Sequence, residues 1–197
     1  MKRRCGAALL VCLLMLAVAL MLGLSAARIA LQAERTARNE RDRQVAFHAA
    51  EAALLDAQQD IEQPASGSRR GALFATAGAP NFPPGCGAGQ ASAELGLCAG
   101  ADNDPAWLSV DFMDENPASA RSVSYGQFTG QAMQVGVATL PARLPRYLIE
   151  VFADRRAGAG ADLPGRGRLY RISAMGFGAQ AGTRVMLQAW YCRMGIR

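Results

Sequence analysis

The pattern of apolar and polar positions divides the chain into an anchor, a stalk and a head. Ala7 to Leu24 is an 18-residue run without a charge, preceded directly by Lys2, Arg3 and Arg4. As a helix, such a run is about long enough to cross a ~30 Å hydrocarbon core. No proline interrupts the chain from there to Gln63, and the string RIALQAERTARNERDRQVAFHAAEAALLDAQQDIEQ after the span is rich in Ala, Glu, Gln, Arg and Leu, the residues that favour helices. The pattern predicts one helix over Ala7 to Gln63, 57 residues in all, or roughly 85 Å at about 1.5 Å per residue. Its outer end has a face: Phe47, Ala50, Leu54, Ala57 and Ile61 recur at spacings of three and four and are predicted to lie against a sheet. Between Arg35 and Gln44 the charges of Arg38, Glu40, Arg41, Asp42 and Arg43 crowd all round the helix, which predicts a stretch that is solvated or held by charged neighbours.

Beyond Gln63 the periodicity changes. Pro64, Ser66, Gly67 and Ser68 end the helix, and from Gly78 to Gly100 glycine, proline and alanine dominate, the composition of a loop. Strands come late. Tyr147 to Phe152 alternates, with Tyr147, Ile149 and Val151 on one face. Leu169 to Phe177 and Thr183 to Cys192 flank the short loop Gly178 to Gly182, which reads as an antiparallel hairpin with Tyr170, Ile172 and Ala174 sharing a face with Val185, Leu187, Ala189 and Tyr191. A further strand is expected between Ser122 and Val137, and Leu140 to Pro145 and Ala157 to Gly167 are connections. A sheet of three or four strands has one face to bury, and the Phe47 to Ile61 stripe is its cover. The fold class is therefore α+β: a long N-terminal helix, membrane span plus amphipathic stalk, packed on a small antiparallel sheet.

Charge changes this picture little. The formal net charge is +5, but Lys2, Arg3 and Arg4 belong to the N-terminal tail. From Pro64 onward there are 13 Arg against 9 Asp plus Glu, a surplus of four, with no lysine after position 2 and no nucleic-acid-binding motif, so nucleic acid is not an expected partner. Asp102 to Glu115 holds five acids, but their spacing is not that of an EF-hand and Pro105 breaks it, so this is a surface acidic loop. Of the five cysteines, Cys5 lies in the tail and Cys12 in the span. Cys86 and Cys98, with 11 residues of the Gly-rich loop between them, are the candidate disulfide in an exported head, since a short loop is the cheapest to close. Cys192 is then the third head cysteine, and the sequence leaves the pairing of the three open. Enzymatic chemistry has no foothold. His48 is the single histidine and lies on the stalk, so there is no Ser/His or Cys/His couple and no zinc set. GCGAGQASAELG does not sit between a strand and a helix, as a phosphate cradle would. Asp114 and Glu115 are merely adjacent. No catalytic residue, metal or cofactor is expected.

Three fates fit the tail and span: a signal peptide cut near Ser25, Ala26 and Ala27, an uncleaved anchor, or processing after Gly6. Basic residues, then Gly6, then an uninterrupted apolar helix running into a stalk resemble the class III prepilin leader of type IV pilins and type II secretion pseudopilins. The string ERTARNERDRQVAFHAAEAALLDA, Glu34 to Ala57, is similar to the N-terminal region of the PilX family of minor pilins. In that family an Arg-rich segment with Asn precedes an Ala-Phe-x-Ala-Ala-Glu-Ala-Ala-Leu segment. Here Asn39 and Arg41 to Arg43 stand ahead of Ala46, Phe47, Ala49, Ala50, Glu51, Ala52, Ala53 and Leu54. The chain departs from pilins generally in having Ala7 rather than Phe after the glycine, and Val11 where the fifth residue is usually Glu.

The resemblance implies a pilin-like head and a division into residues 1–6, basic leader; 7–27, transmembrane helix; 28–63, stalk; and 64–197, periplasmic head. It implies a minor pilin, held in the inner membrane as a single pass and later incorporated into the pilus fibre, and Val11 in place of the usual Glu suits a place in the priming or tip complex. The implied partners are other minor pilins, the major pilin, the prepilin peptidase and inner-membrane lipid. Gly6 and Ala7 would serve processing, Val11 and the span assembly, and Glu51 with the face of Phe47, Ala50 and Leu54 the seating of the head. Two rivals share features of the sequence. A type II secretion pseudopilin has the same leader, and an adhesive or DNA-receiving module would use the arginines from Arg143 to Arg171.

Overall fold

A computed structural model of the protein describes residues 5–62, 70–75, 82–101, 103–152 and 168–193. The expected connection at Ala157 to Gly167 and the helix-ending residues Pro64 to Ser68 lie outside them. Helix α1 runs unbroken over Cys5–Glu62, one residue short of the expected end. A short helix that the sequence pattern did not suggest, α2 (Arg70–Ala75), follows. Then come β1 (Leu97–Ala99), a 3-10 turn at Ala106–Leu108, β2 (Val123–Ser124), β3 (Arg146–Phe152), β4 (Arg168–Phe177) and β5 (Arg184–Arg193). The chain divides into two compact units, residues 1–41 and residues 42–197.

The described part of the first unit is helix alone. Its apolar side chains find no cover: Leu9 is 67% exposed and Met21 71%. Polar side chains are satisfied locally, Ser25 Oγ donating to the Met21 carbonyl at 2.8 Å and Thr36 Oγ1 to the Gln32 carbonyl at 3.0 Å.

In the second unit the outer end of α1 lies on a five-stranded sheet ordered β1-β3-β4-β5, with β2 beside β1 on the same edge of β3. The β4–β5 hairpin has the expected register: Tyr170 faces Tyr191, Ile172 faces Ala189 and Ala174 faces Leu187. The sheet is mixed rather than antiparallel, because Leu97 to Ala99 pair in parallel with Ile149 to Val151. This strand lies inside the stretch whose Gly-rich composition predicted a loop. Three residues are too few for alternation to be read, and β1 owes its conformation to the β3 edge it pairs with. The strand expected between Ser122 and Val137 shrinks to two residues.

A stripe of alanines seats the helix. Ala46, Ala49, Ala50, Ala53 and Ala57 are all buried, together with Ile61. Phe47 and Leu54, expected on this face, lie roughly 60° to 120° round the helix from Ala46, Ala53 and Ala57 at about 100° per residue. Phe47 is accordingly 39% exposed, and Leu54 packs half-buried at the margin of the core. The reason is backbone proximity. A Cβ placed on Gly176 of β4 would fall 2.0 Å from the Ala46 carbonyl oxygen and 2.4 Å from the Ala50 nitrogen, so the helix touches the sheet where only small side chains fit.

The second sheet face is also covered. Cys86 and Cys98 form a disulfide that packs with Ala106, Val110, Phe112 and Leu148 into a second apolar cluster. The segment from 103 to 115 is tied down there by charge. Glu150, fully buried on β3, accepts from the Ala106 amide at 2.9 Å and takes both Arg171 Nε at 2.8 Å and Nη2 at 2.7 Å. A buried carboxylate needs such a bidentate partner to offset its desolvation.

Candidate assembly surface

Two regions of α1 present chemistry. In the first unit, Ala7 to Leu24 carries no charge and its side chains are exposed, Val11 to 55%. This helix is long and apolar enough to cross a membrane. The first acidic residue on α1 is Glu34, ion-paired with Arg38 one turn on. The unit thus offers a continuous apolar surface.

In the second unit, three carboxylates on the seated side of α1 hold loops of the head. Asp60, fully buried, receives Arg70 Nε at 3.1 Å and Nη2 at 2.9 Å on Oδ2, which also accepts the Tyr147 hydroxyl at 3.0 Å. Arg70, itself fully buried, donates from Nη1 to the Ala93 carbonyl at 2.7 Å and lies 4.0 Å from the centre of the Phe128 ring. Burial pushes the Asp60 carboxyl above the usual carboxylate range, against the opposing pull of the Arg70 guanidinium and the Tyr147 hydroxyl. Burial and the Asp60 charge hold the Tyr147 phenol well above its ordinary value, so it stays a neutral donor. One turn back, Asp56 accepts the Gly126 amide at 2.7 Å and the Thr129 hydroxyl, and burial raises its pKa too, against those two hydrogen bonds. Further back, Asp42 accepts the Gln180 amide at 3.1 Å and fixes the β4–β5 turn. Asp42 was expected to be solvated or held by charged neighbours; it is 6% exposed and held by an amide. All three lie toward the alanine stripe, so their spacing matched the helical repeat, but the donors that receive them are 10 to 138 residues away and leave no local signal.

Two family models match the chain: PilX N-terminal over residues 6–55, and type IV pilus assembly protein PilX C-term over residues 94–193. The chain belongs to the PilX family. No curated protein and no solved structure matches it. Membership makes the protein a structural component of the type IV pilus with a minor-pilin role, interacting with other pilins. The helix-on-sheet head agrees with the α+β, pilin-like architecture that the resemblance implied.

Among the sequence-predicted residues of this PilX-family protein, Ala50 is buried against Gly176, while Glu51 does not seat the head. It is exposed and bonded to His48 Nδ1 at 3.0 Å, because it points away from the alanine stripe. Gly6 and Ala7 lie in the first turns of α1. Cys192 is a free thiol on β5. Of the arginines assigned to a DNA-receiving surface, Arg146 is buried with Ser122, donating from Nε to Oγ at 2.8 Å. Arg171 is spent on Glu150, and Arg143 pairs with Glu115 at 3.3 Å. Among the described residues no group of His, Cys, Asp or Glu is arranged to hold a metal ion.

Proposed function

We propose that this PilX-family subunit acts first in the fibre, in the priming or tip complex, and does not polymerise alone. Its chain would be cut after Gly6 by the prepilin peptidase and its new Ala7 amine methylated. The span would store it in the inner membrane with the head in the periplasm until the helix moves into the fibre core. The observation that carries this reading is Val11, 55% exposed in a span without any acid. In pilins generally, the Glu at this place meets the N-terminal amine of a neighbour, which offsets burial of both charges in an apolar core. A subunit with Val11 offers no such acid to a subunit placed before it. Its own amine can still be met by a Glu from the subunit placed after, and that asymmetry suits the first position.

The test has two parts. Intact-mass analysis of membrane-extracted protein should give a chain starting at Ala7, whereas a start at Arg28 would point to a secretory signal. Deletion should abolish or sharply reduce pili, and Val11→Glu should bring no gain. Labelled protein in many copies along the shaft would refute the first-position reading.

A further inference from the structure

Both sulfurs of the Cys86–Cys98 bond are covered by residues 105–115. Cys98 is fully buried and Cys86 is 6% exposed, and Ala106, Val110 and Phe112 pack on them together with Leu148 of β3. Leu108 and Asp111, on the outer side of the segment, are exposed. The segment bonds largely to itself. The Leu108 amide donates to the Pro105 carbonyl at 3.0 Å, those of Ser109 and Val110 to the Ala106 carbonyl at 3.1 Å, and that of Asp114 to the Asp111 carbonyl at 3.4 Å. Among the described residues, one main-chain group of residues 105–114 bonds outside the segment. It is the Ala106 amide, which donates to Glu150 at 2.9 Å.

The acceptor of that bond is an unusual residue to find there. Glu150 is fully buried on β3, and its Cα partner on β1 is Cys98, so carboxylate and disulfide sit side by side on one face of the sheet. Arg171 balances its charge through hydrogen bonds at 2.7 and 2.8 Å. A buried ion pair adds little to stability over apolar side chains of similar size, and its best-attested use is to fix one arrangement among several. Here it fixes the point at which the segment crosses the disulfide. The far end is held more loosely. Glu115 pairs with Arg143 at 3.3 Å in an exposed ion pair, and its carbonyl accepts from Gln90 Nε2 at 3.3 Å.

A segment with few ties to its surroundings opens by itself, without global unfolding. We propose that residues 105–115 are a strap over the Cys86–Cys98 bond, latched by Glu150, and that its opening sets the rate at which a dithiol reaches that bond. Closed, the strap keeps a thiolate from both sulfurs. Open, it lets a thiolate of the dithiol attack one sulfur, while the other leaves as a thiolate and takes up a proton. The second thiol of the reagent then resolves the mixed disulfide. The two cysteines gain two electrons and two protons, and the dithiol departs as a disulfide. The reverse step passes through the same opening, so a strap closed over two thiols also slows their oxidation. The reagents concerned are dithiols and disulfides of the thiol–disulfide oxidoreductase class. The inference stands apart from the subunit's processing and its position in the fibre.

The experiment follows reduction by dithiothreitol in the full-length protein in detergent, with alkylation and intact mass to count new thiols. Reduction of the native wild type should be at least a hundredfold slower than that of the same protein unfolded in urea. Below the unfolding transition its rate should rise with urea much less steeply than global unfolding does. Ala106→Pro deletes the latching amide at a place that accepts proline: residue 106 opens the 3-10 turn, and Pro105 before it is extended, with ψ 127°. This variant should be reduced at least tenfold faster while the urea midpoint of its oxidised form is kept. Should that midpoint fall, the urea dependence of the wild-type rate decides. A native rate equal to the unfolded one, a wild-type slope equal to that of global unfolding, or an unchanged rate in Ala106→Pro would overturn the proposal.

Discussion

Asp60 and Arg70 form a buried pair whose two members should respond differently to loss of the other. Both are fully buried, and Arg70 also donates to the Ala93 carbonyl and lies against the Phe74 and Phe128 rings. In Asp60→Ala the guanidinium cannot give up its proton and loses the carboxylate that balances its charge, at a cost of about 3 to 5 kcal/mol. The Tyr147 hydroxyl loses its acceptor at 3.0 Å as well, about 1 to 3 kcal/mol if it finds no substitute. In Arg70→Met the stranded group is a carboxyl that burial already pushes upward. It can take a proton and remain a partner of Tyr147, so the cost should be the smaller of the two, and smaller still at pH 5 than at pH 7. The double variant Asp60→Leu/Arg70→Met removes both charges and should recover about 2 kcal/mol or more relative to the sum of the single effects. Urea unfolding of the full chain in detergent, followed by tryptophan fluorescence and circular dichroism at both pH values, measures all three. Equal costs for the two single variants at both pH values, with the double variant additive to within about 0.5 kcal/mol, would refute the account.

Gly176→Ala should cost about 2 to 3 kcal/mol by forcing α1 off the sheet, since its Cβ would meet helix backbone at 2.0 Å; a thermal midpoint equal to wild type would count against the close approach. The double variant Cys86→Ser/Cys98→Ser should lose on the order of 3 kcal/mol, and a reducing agent should lower the urea midpoint of the wild type but leave that of the variant unchanged. Asp56 has a folded-state pKa raised by burial, so its contribution to stability is full below the unfolded value of 3.8 and is lost as pH rises through the folded one. Stability should therefore rise as pH falls from 7 toward 4, and Asp56→Asn should make that slope shallower; identical slopes would show that the Asp56 carboxyl is not perturbed.

The residues alone determined the long helix, the hairpin and the family. Eighteen uncharged positions followed by helix-favouring residues leave the backbone no competitor over Cys5–Glu62. Period-two alternation at Tyr147 to Phe152 and on both arms of the hairpin placed β3, β4 and β5 and their shared face within a residue or two. Such features are local, so a window of ten residues contains them. Tertiary structure decided the rest. The seated face turned toward alanines because Gly176, more than 120 residues away in sequence, brings two backbones together. β1 exists because the edge of β3 was free to receive it. Asp42, Asp56 and Asp60 read as ordinary polar positions of a stalk until distant donors at Gln180, Gly126, Arg70 and Tyr147 close on them. A buried carboxylate is stabilised only by partners that folding brings to it, and those partners have no fixed spacing in the chain.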